Sequence, residues 1–187
     1  MSDLPAKTYP LHIVSGGQTG VDRAGLDAAI DLGWTHGGWC PLGRLAEDGF
    51  IPVRYRLRQT ESPQYSVRTE RNVIDSDATL ILFQDELSGG TELTWRFART
   101  HRRPCFLLNL ASPPRLETVC EWLHENGVTT LNVAGPREST SPGIGDVAQV
   151  VLRTLFELAQ QEPSRAKLQQ RELFSPAFMP GSSPDPA

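Results

Sequence analysis

The sequence predicts an α/β fold, a three-layer sandwich in which helices cover both faces of a mostly parallel central sheet. Two observations carry that prediction. Short apolar runs alternate with segments of helical periodicity along most of the chain, the pattern of strand–helix–strand crossovers. One of the runs, Ala78–Phe83, is strongly apolar, as expected of a strand buried on both faces.

The elements follow in order. Leu11–Val14 is a short buried strand. Gly20–Leu32 is a helix in which Val21, Ala24, Gly25, Ala28, Ala29 and Leu32 recur at helical spacing, with Gly33 as its C-cap. The small residues on that face let the helix lie close against a sheet. Trp34–Trp39 reads as a second strand, followed by a polar loop through about Pro63. A loop of that length inside a compact domain is usually functional or mobile. Tyr65–Ser76 is a helix and Ala78–Phe83 a strand. Then come a helix at Thr91–Thr100, a strand at Cys105–Leu110, a helix at Leu116–Asn126 and a strand at Thr129–Val133. The last helix spans Gly145–Gln160. No internal repeat is visible. The reading is one ligand-binding domain over residues 1–160 and a flexible Gln-, Ser- and Pro-rich tail over 161–187, from which Leu173, Phe174 and Phe178 could dock on a neighbour.

Composition narrows the function. The 187 residues suit one domain with a sizeable core. A net charge of -4 and a pI of about 5.6 argue against a broad nucleic-acid surface, although local arginine pockets remain possible. Cys40, Cys105 and Cys120 are too few and too scattered for a disulfide framework or a paired zinc site. Cys40 could be a soft ligand, but a cysteine between Trp39 and Pro41 is more often a small buried residue. His12, His36, His101 and His124 lack metal-ligand spacing, so no bound metal is expected. No apolar run reaches membrane-spanning length and the N-terminus lacks a signal-peptide core, so cytoplasm is the expected location.

Three strand-to-helix loops are rich in glycine and small polar residues. The first is Ser15, Gly16, Gly17, Gln18, Thr19 and Gly20, with Asp22 and Arg23 just inside the following helix. The second holds Ser88, Gly89, Gly90, Thr91 and Glu92. The third holds Gly135, Pro136, Arg137, Glu138 and Ser139 within Asn132–Gly145. Loops of this kind at the carboxyl edge of a parallel sheet suit a phosphate or other oxyanion, because glycine admits close backbone approach and the helix dipole stabilises negative charge. The alternative is that they are tight turns and caps. None carries the lysine of a Walker A loop or the dinucleotide glycine spacing, which argues against nicotinamide chemistry.

Two further segments could reach such a site. Arg68, Arg71 and Asn72 share one helical face and could present guanidinium forks to an anion, or pair with Glu61, Glu70 or Asp75. The long loop carries Arg44, Glu47 and Asp48 between glycines and could fold over a ligand or form an interface hairpin.

With these stretches in view, the chain resembles the molybdenum-cofactor carrier family, within the Rossmann-like group that includes the LOG-type, lysine decarboxylase-like proteins. The matching stretches are SGGQTGVDRAGLDAA, GGWCPLGRLAEDGFIP, RTERNVIDSDATLIL, SGGTELT and LNVAGPRES…PGI, which together span about Leu11 to Ala159. The resemblance implies a Rossmann-like sheet, a homo-oligomer and a small phosphorylated or oxyanionic ligand: molybdenum cofactor, molybdopterin, molybdate or a nucleotide. It also implies two alternatives to a carrier. One is a nucleotide-sensing module. The other is a hydrolase that cleaves nucleoside monophosphates, as LOG-type relatives do with an arginine and a glutamate. Arg71 in TERN resembles the arginine position, and Glu92 would have to supply the acid. Thr94 stands where that acid is expected, and a one-residue shift turns a helical side chain by roughly 100°.

Overall fold

The computed structural model describes residues 11–173, with side chains described as far as residue 161. The chain runs β1 (His12–Val14), α1 (Val21–Asp31), β2 (His36–Gly37), β3 (Trp39–Cys40), β4 (Leu45–Ala46), β5 (Gly49–Phe50) and β6 (Arg58–Gln59). It continues as α2 (Tyr65–Ile74), β7 (Ala78–Phe83), α3 (Gly89–Thr100), β8 (Cys105–Asn109), α4 (Leu116–Glu125), β9 (Thr130–Ala134) and α5 (Ile144–Leu173).

Five strands form one parallel sheet in the order β2-β1-β9-β7-β8. The last strand, β9, is inserted between the first, β1, and β7. If β9 were counted first, the order would read 3-2-1-4-5, the arrangement of a doubly wound sheet. The fold is therefore a doubly wound sandwich whose first strand arrives last in the chain. On one side α5 packs against α1 and α4, and on the other α2 packs against α3. The β9–β7 neighbours are the point where the winding reverses, and in such sheets the crevice for a ligand opens there, beyond the strands' carboxyl ends.

Strand alternation assigns side chains to the two layers. Leu11, Ile13, Leu80, Leu82, Leu131 and Val133 join Val21, Ala28, Leu152, Leu155 and Phe156 in the main core, where Trp34 stacks on Phe156 at 5.0 Å. The residues between them on the strands, Val14, Thr79, Ile81, Asn132 and Ala134, belong to the α2–α3 side.

Three regions differ from the sequence expectation. The single strand expected at Trp34–Trp39 is two strands in different sheets. The chain turns at Gly38, where an added Cβ would lie 2.3 Å from the Ser15 carbonyl oxygen, so β2 pairs with β1 while β3 pairs with β6. The long loop is a folded lobe: β4 and β5 form a hairpin, and Cys40, Ala46, Ile51, Tyr55 and Leu57 pack with Leu26 of α1 into a second small core. Helix α5 continues to Leu173, so the first part of the segment expected as tail is helical. Ala, Glu, Gln, Lys and Leu after Leu158 favour helix strongly enough to carry it beyond Pro163. The expected docking of Leu173, Phe174 and Phe178 rests on side chains outside those described. No helix among the described residues is long and apolar enough to cross a membrane.

Candidate functional site

The three glycine-rich loops leave β1, β7 and β9 at the same edge of the sheet and surround a cleft of about 470 Å³, the size range of small-molecule sites. Helix α2 forms its flank through Tyr65, Ser66, Arg68, Thr69 and Asn72. The loops contribute Gly16 and Gln18, Ser88–Thr91, and Ala134–Arg137.

Arg68 is the central side chain. It is 12% exposed, its Nη1 donates to Asp22 Oδ2 at 2.6 Å, and its Nε is buried without a hydrogen-bond partner among the described residues. Its guanidinium lies on Gly16: a Cβ added there would fall 1.1 Å from Nη1. Gly16 is thus required so that an arginine from α2 can rest on the first loop. Asp22, 6% exposed, also accepts from the Gln18 amide at 3.3 Å, and it is the only carboxylate lining the cleft among the described residues.

Two further donor groups line the same cleft. The Gln18 Oε1 accepts from the Thr19 amide at 3.1 Å and the Glu47 amide at 2.9 Å, which leaves its Nε2, without a hydrogen-bond partner among the described residues, as the available half of the carboxamide. Helix α3 begins at Gly89 without a side-chain cap. Carbons added at Gly89 and Gly90 would meet nothing within 4 Å, so this positive helix end opens onto free space.

The other two helix starts are occupied by the protein itself, which corrects the expectation that all three turn toward a ligand. At α5, Glu138 accepts from the amides of Gly143 and Gly145. At α1, the Val21 amide donates to the Pro136 carbonyl at 3.2 Å. Gly17 and Gly20 lie outside the cleft's lining. At Gly17 (φ +75) an added Cβ would be 2.5 Å from Leu57 Cδ1, so this glycine serves the contact between the first loop and the lobe.

Several predicted ligand contacts instead hold loops together. Glu47 accepts from Thr19 Oγ1, from Ser139 Oγ and, at 3.1 Å, from the Ser139 amide, with Arg137 Nε 3.3 Å away. Burial acts to raise the Glu47 pKa, but the hydrogen bonds from Ser139 and Thr19 outweigh it and hold the carboxyl below its ordinary range. Arg23 forms a forked pair with Asp48 at 2.6 and 2.7 Å and reaches the Gly17 carbonyl. That pairing depresses the Asp48 pKa. Arg44 donates to the carbonyls of Ile51, Pro52, Tyr55 and Leu57 and closes the lobe. Thr19, Glu47, Asp48, Arg137, Glu138 and Ser139 border a separate, open groove, and Arg137 is shared with the cleft. Arg71 pairs with Glu61 at 2.7 Å and lies over the Trp39 ring, while Glu92 pairs with Arg96 one turn on; neither lines the cleft. The two residues on which a LOG-type hydrolase would depend are therefore engaged elsewhere.

The cleft also contains residues to which the sequence reading gives no role. Tyr65, Ser66, Thr69, Leu93, Thr94 and Asn132 all line it. For Asn132 a signal exists: a carboxamide inside the run TLNVA, at a strand position where an apolar residue is expected. Among the described residues, no group of three or more His, Cys, Asp or Glu is placed to hold a metal ion.

Residues 13–156 match the model of the circularly permutated YpsA SLOG family. This chain belongs to that family. The permutation is what the strand order displays, with the first strand of a doubly wound sheet supplied by β9. A crystal structure of a protein from Syntrophus aciditrophicus SB, named "Putative molybdenum carrier protein", is 42% identical to this SLOG-family chain. The likeness covers 78% of this chain and 93% of that one, with a TM-score of 0.73. No curated protein gives a significant match.

Proposed function

We propose that this chain is a carrier or binding protein for a small phosphate- or oxyanion-bearing ligand of the molybdenum-cofactor class, held in the cleft at the sheet's carboxyl edge. The observation that carries the reading is the set of donors lining the cleft. Arg68, the free carboxamide nitrogen of Gln18 and the uncapped α3 start at Gly89–Gly90 together form a preorganised anion site. The name of the Syntrophus aciditrophicus relative supports molybdenum as the cargo. The cleft's one described carboxylate supports carriage over hydrolysis. Asp22 is held by Arg68 at 2.6 Å, so it is poorly placed to take a proton from water, and Glu92 is turned away.

Incubating the protein with nucleoside monophosphates tests the choice. The carrier reading expects no release of free base at catalytic rates, whereas turnover that is lost on substituting Arg68 or Asp22 would overturn it. Mass spectrometry and metal analysis of what co-purifies with the protein identify the cargo. A phosphorylated or molybdenum-bearing compound is the expected result.

A further inference from the structure

Asn132 lies in the cleft floor, 2% exposed, opposite Thr79 on β7 and Val14 on β1. Its Nδ2 donates to Thr79 Oγ1 at 3.2 Å, and its Oδ1 accepts no hydrogen bond from a described residue. Thr69 and Thr94 line the same cleft from α2 and α3, and both have spent their hydroxyl protons on their own helices. Thr69 Oγ1 donates to the Tyr65 carbonyl at 2.8 Å and Thr94 Oγ1 to the Gly90 carbonyl at 2.9 Å. A hydroxyl whose proton is committed offers only lone pairs to anything else nearby. Three neutral acceptors therefore belong to the same cleft as the donor set of Arg68, Gln18 and the α3 start. An anion gains nothing from the acceptors, whereas an N–H-bearing ring does.

We infer that Asn132, Thr69 and Thr94 form a subsite that selects a heteroaromatic ring by its amino or ring N–H donors. The inference rests on the proposal that the cleft takes a phosphate-bearing ligand, whose anionic end lies at Arg68. The ligand class is then a phosphorylated amino-heterocycle, with a pterin or an aminopurine preferred over the corresponding ring that lacks the amino group.

Guanosine and inosine monophosphates differ by a single exocyclic amino group and serve as probes, with inorganic phosphate as the ring-free control. By calorimetry the wild-type protein is expected to bind the guanosine compound about tenfold more tightly than the inosine one, the value of one neutral hydrogen bond in a shielded site. Asn132→Leu and, separately, Thr94→Val should shrink that ratio toward one while leaving phosphate affinity within about twofold. Two variants are used because Asn132→Leu also removes the bond to Thr79; the wild-type ratio needs no variant at all. Equal binding of the two nucleotides, tighter binding of inosine monophosphate, or a ratio unchanged in both variants would overturn the subsite while leaving the anion site standing. Failure of all three probes to bind would overturn the anion site and the subsite together.

Discussion

On β9, Leu131 and Val133 are fully buried in the main core with residues of α1 and α5, whereas Asn132 and Ala134 belong to the α2–α3 side and, with the stretch of Val133 between them, line the cleft. The same contrast holds on β7, where Leu80 and Leu82 belong to the core and Thr79 supports Asn132. The two faces of one sheet are thus specialised by the two-residue period of the strand. One face is closed by apolar side chains, each worth about 1.5–3 kcal/mol on full burial. The other leaves space between its helices and fills the walls with hydroxyls, amides and an arginine. A change on one face should therefore register in stability, and a change on the other in ligand binding.

Arg68 breaks that division most sharply, because it belongs to the site yet is a buried partner of Asp22. Arg68→Ala alone is expected to cost about 3–5 kcal/mol in denaturant unfolding, since it strands a buried carboxylate. Arg68→Met combined with Asp22→Asn should recover much of that stability without restoring anion binding. Leu131→Ala, on the closed face, is expected to cost about 2–5 kcal/mol while the phosphate affinity of the folded fraction changes little. Gly17→Val should destabilise by about 1–3 kcal/mol, because the side chain meets Leu57 and the backbone is in the left-handed region. A Gly17→Val protein of unchanged melting temperature would show that the lobe does not pack on the first loop as described.

The smallest effect concerns pH. The folded Glu47 carboxyl is depressed from its ordinary 4.5, so its contribution is present above pH 4.5 and is lost as pH falls through the lower folded value. Glu47→Gln should therefore lower stability at neutral pH by up to about 1 kcal/mol and flatten the acid limb of a melting-temperature profile. An acid limb identical in the two proteins would remove Glu47 from the loop staple.

Much of the fold was legible because it depends on local pattern. Ala78–Phe83 and the Val21–Leu32 periodicity mark their elements without tertiary help, and three glycine-rich loops following three strands point to one sheet edge. What was not legible depends on partners distant in sequence. The stretch RTERN offers Arg68 and Arg71 equally, and only the packing of α2 over Gly16 turns Arg68 inward and leaves Arg71 to Glu61 and Trp39. Glu47 and Arg44 look like ligand groups in a polar loop, yet their partners lie on Ser139 and on the lobe's own carbonyls. Asn132 and Thr94 lie inside the matching stretches LNVAGPRES and SGGTELT, but nothing in those stretches marks them as ligand contacts. Their placement follows from strand order, in particular from the insertion of β9 beside β7, which sequence periodicity does not reveal.

The central claim is that an anion is held at Arg68 on the open face of the sheet. Titration of inorganic phosphate into the wild-type protein and into the Arg68→Met, Asp22→Asn double variant, each verified as folded, tests it most directly. The account predicts saturable binding to the wild-type protein and a loss of about tenfold or more in the variant, the worth of a hydrogen bond to a charged group. Equal phosphate affinity in the two folded proteins would contradict it.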